Sequence, residues 1–314
     1  VQLPVEALVK EPYNIKKVME FAGSDDPKAK VDLSGRGDFY NFIPVKEFII
    51  DVDSAHVIST GAVRPYHADR IISPLIWTFR GTMASKNDLA VMDIMAGNDW
   101  KRPVYYAVTA PGSTYIGLEN FFVLEGMAYR VSPVRIDRPS PGETGMVDTE
   151  EMYENMMNRF RWGNAEKEGV YLDENNRRLF DIFRRQFGRL SKALVAEGDF
   201  VRAIAAAEKG IGIVPPEKMP FDYYSIDLIE ALALAGRTEK AREMFTTIID
   251  NSVVSLNFIT GLPERKLYGL DIHTGLALQS IYEVYNVAIS LGMTELADRA
   301  AVELNRFYGE VPGR

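Results

Sequence analysis

Apolar and polar residues alternate in two different ways along this 314-residue chain, and the change falls near residue 150. In the first half, Phe48, Ile49, Ile50 and Val52 within 46–52, and Ile76, Trp77 and Phe79 within 71–79, form short runs rich in β-branched and aromatic side chains. Such runs predict strands, and Pro74 sits near the start of the second, where a missing donor is tolerated. Ser85 is placed to cap a helix ending at Gly97, with Leu89, Met92, Ile94 and Met95 on one broad stripe. Residues 102–109 predict a buried strand, so the span 71–109 reads as a βαβ unit with a parallel pair. A short helix over 117–124 and a last strand over 128–136 complete this half. Upstream, Pro4, Pro12, Gly23, Pro27, Gly35 and Gly37 break residues 1–45 into an extended arm with one helix, 15–22.

Beyond residue 150 the spacing becomes helical, and Phe180, Phe183, Phe187, Leu190 and Leu194 form a core-facing stripe. Gly198-Asp199-Phe200 with Ala203, Ala207, Gly210 and Pro215 matches the second half of a tetratricopeptide repeat, whose first helix would present Leu190 and Leu194. The frame recurs 38 residues on, from Gly198 to Gly236, with Ala241, Phe245, Leu228 and Leu232. A weaker copy at Gly292, Ala297 and Ala301 follows an insertion through 252–273. The expected fold is α+β. An arm over 1–45 leads into a small α/β domain with a mixed sheet over 46–138. A loop or linker over 137–149, carrying Pro139, Pro141, Gly142 and Gly145, precedes an all-α tetratricopeptide-like helical-repeat domain over 150–314.

Composition narrows the chemistry. The chain has no cysteine, which removes disulfides, thiolate zinc sites and cysteine nucleophiles. Its three histidines, His56, His67 and His273, are not at ligand spacing from one another, so neither a metal nor a cofactor is expected. The formal charge of -8 is spread evenly, with 16 basic against 20 acidic residues up to Glu150, which argues against nucleic acid as a partner. No apolar run approaches the roughly 18–20 residues of a membrane-spanning helix. The chain starts at Val1 without an initiator Met, as expected of a piece of something larger. Phosphate-binding glycine loops and the GxSxG elbow are missing.

Several constellations carry candidate chemistry. Asp51-Val52-Asp53 places two carboxylates on one face of a strand, as paired acids holding a divalent cation would be, or else caps a turn. Trp77, Asp99, Trp100, Arg102, Tyr105 and Glu119 put aromatic planes beside charged groups, the combination that suits sugar rings. The alternative is that Asn98 and Asp99 close a helix while Trp100 covers a sheet edge. Residues 158–192 hold nine basic against five acidic side chains. Arg177 with Arg184, and Arg178 with Arg185, share helical faces, forming either a docking surface for anionic lipid heads or an acidic partner, or a solvated helix face.

Longer stretches resemble a known family. Lys86-Asn87-Asp88-Leu89, Met92-Asp93-Ile94 and Asn98-Asp99-Trp100-Lys101-Arg102-Pro103-Val104-Tyr105-Tyr106 are similar to a bacterial family of multi-spanning membrane proteins, once of unknown function. That family is grouped with protein O-mannosyltransferase-like, lipid-linked-sugar (GT-C) glycosyltransferases. Tyr115-Ile116-Gly117-Leu118-Glu119, Leu124-Glu125-Gly126-Met127-Ala128-Tyr129-Arg130, Asn158-Arg159-Phe160-Arg161-Trp162-Gly163-Asn164 and Tyr171-Leu172-Asp173-Glu174-Asn175-Asn176-Arg177-Arg178 continue the likeness, which runs from Asp51 to Asn251. Tyr106 departs from it, standing where Phe is common. The resemblance implies the soluble C-terminal region of such a protein, on the periplasmic side of the inner membrane. Its partners would be its own N-terminal membrane bundle, which holds the family's catalytic acids, and a protein or peptide. No catalytic residue is carried onto these positions. The function expected is a non-catalytic module that binds acceptor polypeptide or partner proteins through helical repeats, and the alternative is a carbohydrate-binding or carbohydrate-active domain.

Overall fold

The computed structural model describes residues 2–32, 35–136 and 142–308, and the chain divides into two compact units, Val1–Asp148 and Thr149–Arg314. The α+β class holds, with strands in the first unit and helices in the second. Pro139 and Pro141 of the expected linker lie outside the described residues.

The first unit opens with β1 (Gln2–Val9), β2 (Tyr13–Asn14), α1 (Ile15–Ala22), β3 (Lys30–Asp32), β4 (Phe39–Asn41) and β5 (Ile43–Val45). The expected arm is therefore folded in: β1 pairs in parallel with β5, and antiparallel with β8 (Met83–Ser85). Its Val5, like Ile43 and Val45 of β5, is buried, so apolar spacing outweighs the proline and glycine punctuation here. Helix α1 has the expected bounds, with the Asn14 side chain accepting from the amides of Lys16 and Lys17. The expected strand over 46–52 is β6 (Glu47–Ile50), flanked by β2 in parallel and by β7 (Leu75–Thr78), antiparallel. A short α2 (Ser54–Ser59) follows β6.

Ser85 caps α3 (Lys86–Asn98) in a capping box: the Asp88 carboxylate accepts from the Ser85 amide at 2.8 Å while the Ser85 hydroxyl receives the Asp88 amide. The stop is Asp99 in the left-handed region, with Gly97 inside the helix. The expected βαβ unit does not form. β7 belongs to the β2-β6-β7 sheet, and β9 (Val104–Ala107) to a second sheet ordered β12-β10-β11-β9, where it runs antiparallel to β11 (Ala128–Val131). The chain turns into β8 before the helix, so the crossover links two sheets. The short helix expected over 117–124 is a 3-10 turn, Leu118–Phe121, running into β10 (Phe122–Leu124), whose three residues are all buried. Part of the expected linker is sheet too: β12 (Met146–Val147) runs parallel to β10, and a methyl group at Gly145 would lie 2.7 Å from the Phe122 carbonyl oxygen.

The second unit starts with α4 (Thr149–Glu154), continued by a π-helical turn, Asn155–Arg159, and then builds three helical hairpins. They are α5 (Glu174–Ala196) with α6 (Phe200–Gly212), α7 (Ile226–Leu234) with α8 (Thr238–Thr260), and α9 (Asp271–Ser290) with α10 (Thr294–Tyr308). Each turns through a left-handed glycine, Gly198, Gly236 or Gly292. After each glycine the next amide reaches back five residues: Asp199 to Leu194 O at 2.9 Å, Arg237 to Leu232 O at 2.8 Å, and Met293 to Ala288 O at 2.8 Å. Three sequence-distant segments thus share one Schellman-type closure. Ala203, Ala207 and Ala241 are buried, and a methyl at Gly210 would lie 2.6 Å from Phe187 Cβ. Small residues are required because the helices touch backbone to side chain. Much of the 252–273 insertion lengthens α8 and the start of α9.

Candidate functional site

The six residues singled out for sugar recognition separate into different surroundings. Asp99 and Trp100 line a cleft of about 350 Å³, together with Asn14, Lys16, Asp51, Asp53 and His56. Both take left-handed backbone, φ 47° and 56°, which is costly for two successive residues that are not glycine. The conformation is held by two long-range bonds. His56 Nε2 lies 3.0 Å from the Asp99 carbonyl oxygen and must carry the proton to bond it; Trp100 Nε1 donates to Asp51 O at 3.0 Å. Trp100 is therefore an anchor, 5% exposed, whose indole N–H is already used inside the fold. Asp53 resolves as a cap: its Oδ1 accepts the His56 amide at 2.7 Å and starts α2. Among the described residues no three histidine or carboxylate side chains gather as a metal would need.

Trp77 lies in the core, packed against Phe48 with ring centroids 5.2 Å apart and the rings tilted by 34°, because its strand is buried on that face. Arg102 is exposed, and its backbone is latched to Asn98, whose Nδ2 donates to Arg102 O at 2.7 Å. Neither residue lines this cleft or the one that Glu119 lines.

Tyr105 belongs to an ionic network that the sequence did not suggest. Arg130 is fully buried, its guanidinium 2.9 Å from Glu125 Oε1 and 3.6 Å from Asp148 Oδ2, and it donates to Gly61 O at 3.0 Å. Arg64 approaches Glu125 at 3.3 Å, Tyr66 donates to Asp148 at 2.8 Å and Tyr105 to Glu125 at 3.0 Å. Two guanidinium groups offset two carboxylates, so the burial is electrically balanced. Burial, and then the Glu125 charge, push the Tyr105 phenol up to about 12. His67 at the edge is held below its ordinary value, chiefly by burial, against the pull of Asp148. The network pins the 61–64 segment to β11 and β12.

Glu119 lines a second cleft, of about 310 Å³, where the segment after β7, the first turn of α3 and the 112–119 segment meet. Its carboxylate is 3.8 Å from Arg80, and Asp88 and Ser113 line the same cleft. Of the residues lining this cleft, Glu119 alone was a candidate from the sequence.

The expected basic face does not form as drawn. Arg177, Arg178 and Arg185 are exposed, but Arg184 is fully buried and donates to the carbonyls of Val214 at 3.0 Å, Met219 at 2.8 Å and Pro220 at 3.2 Å. Position 184 falls one turn after Phe180 and one before Phe187, on the inward stripe, where the guanidinium ties down the segment joining α6 to α7. Nearby, Asp181 is raised to about 7, first by burial and then by Asp222, while Arg184 pulls it down.

The described residues thus define an α+β chain with two polar clefts in a strand-bearing unit and a unit of helical hairpins. Residues 2–151 match the family model described as TMEM260-associated domain 2, a likeness to a module associated with membrane proteins. No curated protein and no solved structure matches the chain. Among the described residues no helix is long and apolar enough to cross a membrane.

Proposed function

We propose that the chain is a non-catalytic module of a membrane protein, on the periplasmic side, that binds acceptor polypeptide or a partner protein through its helical hairpins. The reading is supported by the likeness of residues 2–151 to a TMEM260-associated domain. The observation that carries it is the apolar surface around the α8–α9 connection, where Val254, Phe258, Tyr268 and Ile272 are 68%, 66%, 99% and 81% exposed. Val254 and Phe258 stand one turn apart on α8, the spacing of anchors for an extended or helical segment. Single exposed apolar residues are normal, and four this exposed within 254–272 support the reading of a partner-binding surface. On this reading the repeats are tetratricopeptide-like, and any glycosyl transfer from a lipid-linked sugar takes place in the membrane bundle, outside this chain.

Photocrosslinking tests it. A benzoylphenylalanine replacing Phe258 or Tyr268 in the full-length protein, in cells, should give a discrete adduct with one partner or with the membrane portion itself. The same probe at exposed Arg177 should not. Equal, diffuse labelling from all three positions would refute the proposal.

A further inference from the structure

We propose that the second cleft, lined by Arg80, Asp88, Ser113 and Glu119, is a binding site for a neutral saccharide of one or two rings. This goes beyond the module reading and does not depend on it, because the cleft lies wholly in the first unit.

Three observations converge on the cleft. Asp88 spends Oδ2 on the Ser85 amide and hydroxyl, at 2.8 Å and 2.7 Å, and these bonds leave Oδ1 unused. Glu119 is held only loosely by Arg80, at 3.8 Å, and Arg80 is itself 78% exposed. Beneath them Tyr106 is 8% exposed and its hydroxyl has no hydrogen-bond partner. Its acidity is suppressed first by burial, then by the charges of Asp88 and Glu119. A buried phenol without a partner is uncommon and calls for an acceptor.

The wall is shaped at an energetic cost. Ile116, a β-branched residue, takes φ 51°, and Gly117 follows at φ 93°. A methyl at Gly117 would lie 2.1 Å from the Thr78 carbonyl oxygen, so only a bare backbone can pass there. Strain of this kind persists where surrounding contacts over-determine it, and binding clefts are one such place.

The chemistry selects the ligand. Arg80 supplies donors, Asp88 and Glu119 acceptors, and Ser113 a hydroxyl that can serve as either, while Ile116 and Met83 add apolar surface. A sugar ring offers the complement: hydroxyls that donate and accept at once, on an apolar CH face. An anion would meet two carboxylates, and a simple cation would leave Arg80 unserved. A volume of about 310 Å³ lies at the small end of ligand clefts, which span roughly 300–1,000 Å³.

The test is amide-shift NMR on the deuterated chain, titrated with glucose, mannose, galactose, N-acetylglucosamine and their disaccharides to tens of millimolar. Cadaverine and inorganic phosphate serve as the cationic and anionic comparators. The proposal expects saturable shifts at Gly81, Gly112, Ser113 and Gly117 for at least one neutral sugar, and not for the comparators. Glu119→Gln and Arg80→Ala should each weaken that binding by about tenfold or more, the loss of one charge-assisted hydrogen bond. Tyr106→Phe should leave the spectrum folded and still reduce affinity, whereas a purely structural Tyr106 would leave affinity unchanged. Shifts confined to other residues, no shift with any sugar, or stronger binding of cadaverine or phosphate would overturn it.

Discussion

Gly210 and Gly212 stand two residues apart in α6, and the same substitution at each should have opposite signs. At Gly210 a methyl would lie 2.6 Å from Phe187 Cβ, 2.9 Å from Phe187 Cγ and 3.0 Å from Leu228 Cδ2, while at Gly212 nothing lies within 4 Å. Phe187 and Leu228 are both fully buried, and a Cβ cannot swing aside as a side-chain tip can, so Gly210→Ala must separate α5 from α6. Overpacking of this kind costs about 1–3 kcal/mol, and the gain from replacing a helical glycine returns about 0.5–1 kcal/mol. The net expectation is a loss of about 0.5–2 kcal/mol. Gly212→Ala keeps only the gain and should stabilise by about 0.5–1 kcal/mol. In thermal melts a unit of this size moves about 2–4 °C per kcal/mol, so the two variants should straddle the parent protein. Hydrogen exchange in α5 and α6 locates the effect, because only Gly210→Ala should speed exchange in both helices. A Gly210→Ala protein as stable as the parent would refute the close approach on which the packing of the α5–α6 hairpin rests.

Other expectations follow from single groups. Ser85→Ala should cost about 1 kcal/mol and raise exchange in the first turn of α3, since it removes half of the capping box; an unchanged melt would count against that cap. Asp181 binds its proton more tightly folded, at about 7, than in an unfolded chain, so its stabilising contribution is complete below about pH 4 and lost as pH rises through 7. Asp181→Asn should therefore gain on the parent between pH 5 and 8, by about 1–2 kcal/mol after allowance for its partial exposure, and a pH-independent difference would contradict the assignment. Arg184→Met strands three carbonyls and should cost about 2–4 kcal/mol with faster exchange over 213–225, while Arg177→Met and Arg185→Met stay within about 0.5 kcal/mol; equal effects at all three would restore the surface reading.

What could be read from sequence was what repeats or what is local. The helix at Ile15–Ala22, the cap at Ser85 and the turn glycines Gly198, Gly236 and Gly292 each depend on a few neighbours, and each is in place. Strand pairing depends on distant partners, and there local punctuation misled. Pro4 and Pro12 suggested an arm, yet Pro4 is paired with Met83 inside a sheet and Pro12 immediately precedes β2. The sugar candidates were chosen for residue type, and type does not reveal which ring is covered: Trp77 and Trp100 are both spent on packing. The second cleft was visible only through Glu119, because Arg80, Ser113 and Tyr106 are joined to it by folding alone.

Charge misled most, for one physical reason. Arg177 with Arg184, and Arg178 with Arg185, were read as faces open to a partner or to solvent, but on a helix that turns each residue by about 100° position 184 falls on the inward stripe of Phe180 and Phe187. In α5 the turn carries Arg184 and Arg189 into the interior, and Lys192 onto Asp227 and Glu230 at 3.0 Å and 2.8 Å. The Lys192 ammonium loses hydration there, yet the two carboxylates more than offset that loss and keep its proton firmly bound. Arg130 in the first unit follows the same rule between Glu125 and Asp148. An acidic chain that buries cations beside carboxylates and carbonyls uses them to fix segments that have no helix or sheet to hold them: 213–220 by Arg184, and 61–64 by the Arg130 network. Three of the nine basic residues over 158–192, Arg184, Arg189 and Lys192, are thus taken up in tying the helical unit together, and the loss of Arg184 breaks the basic face, so the proposed partner surface is the apolar α8–α9 connection instead.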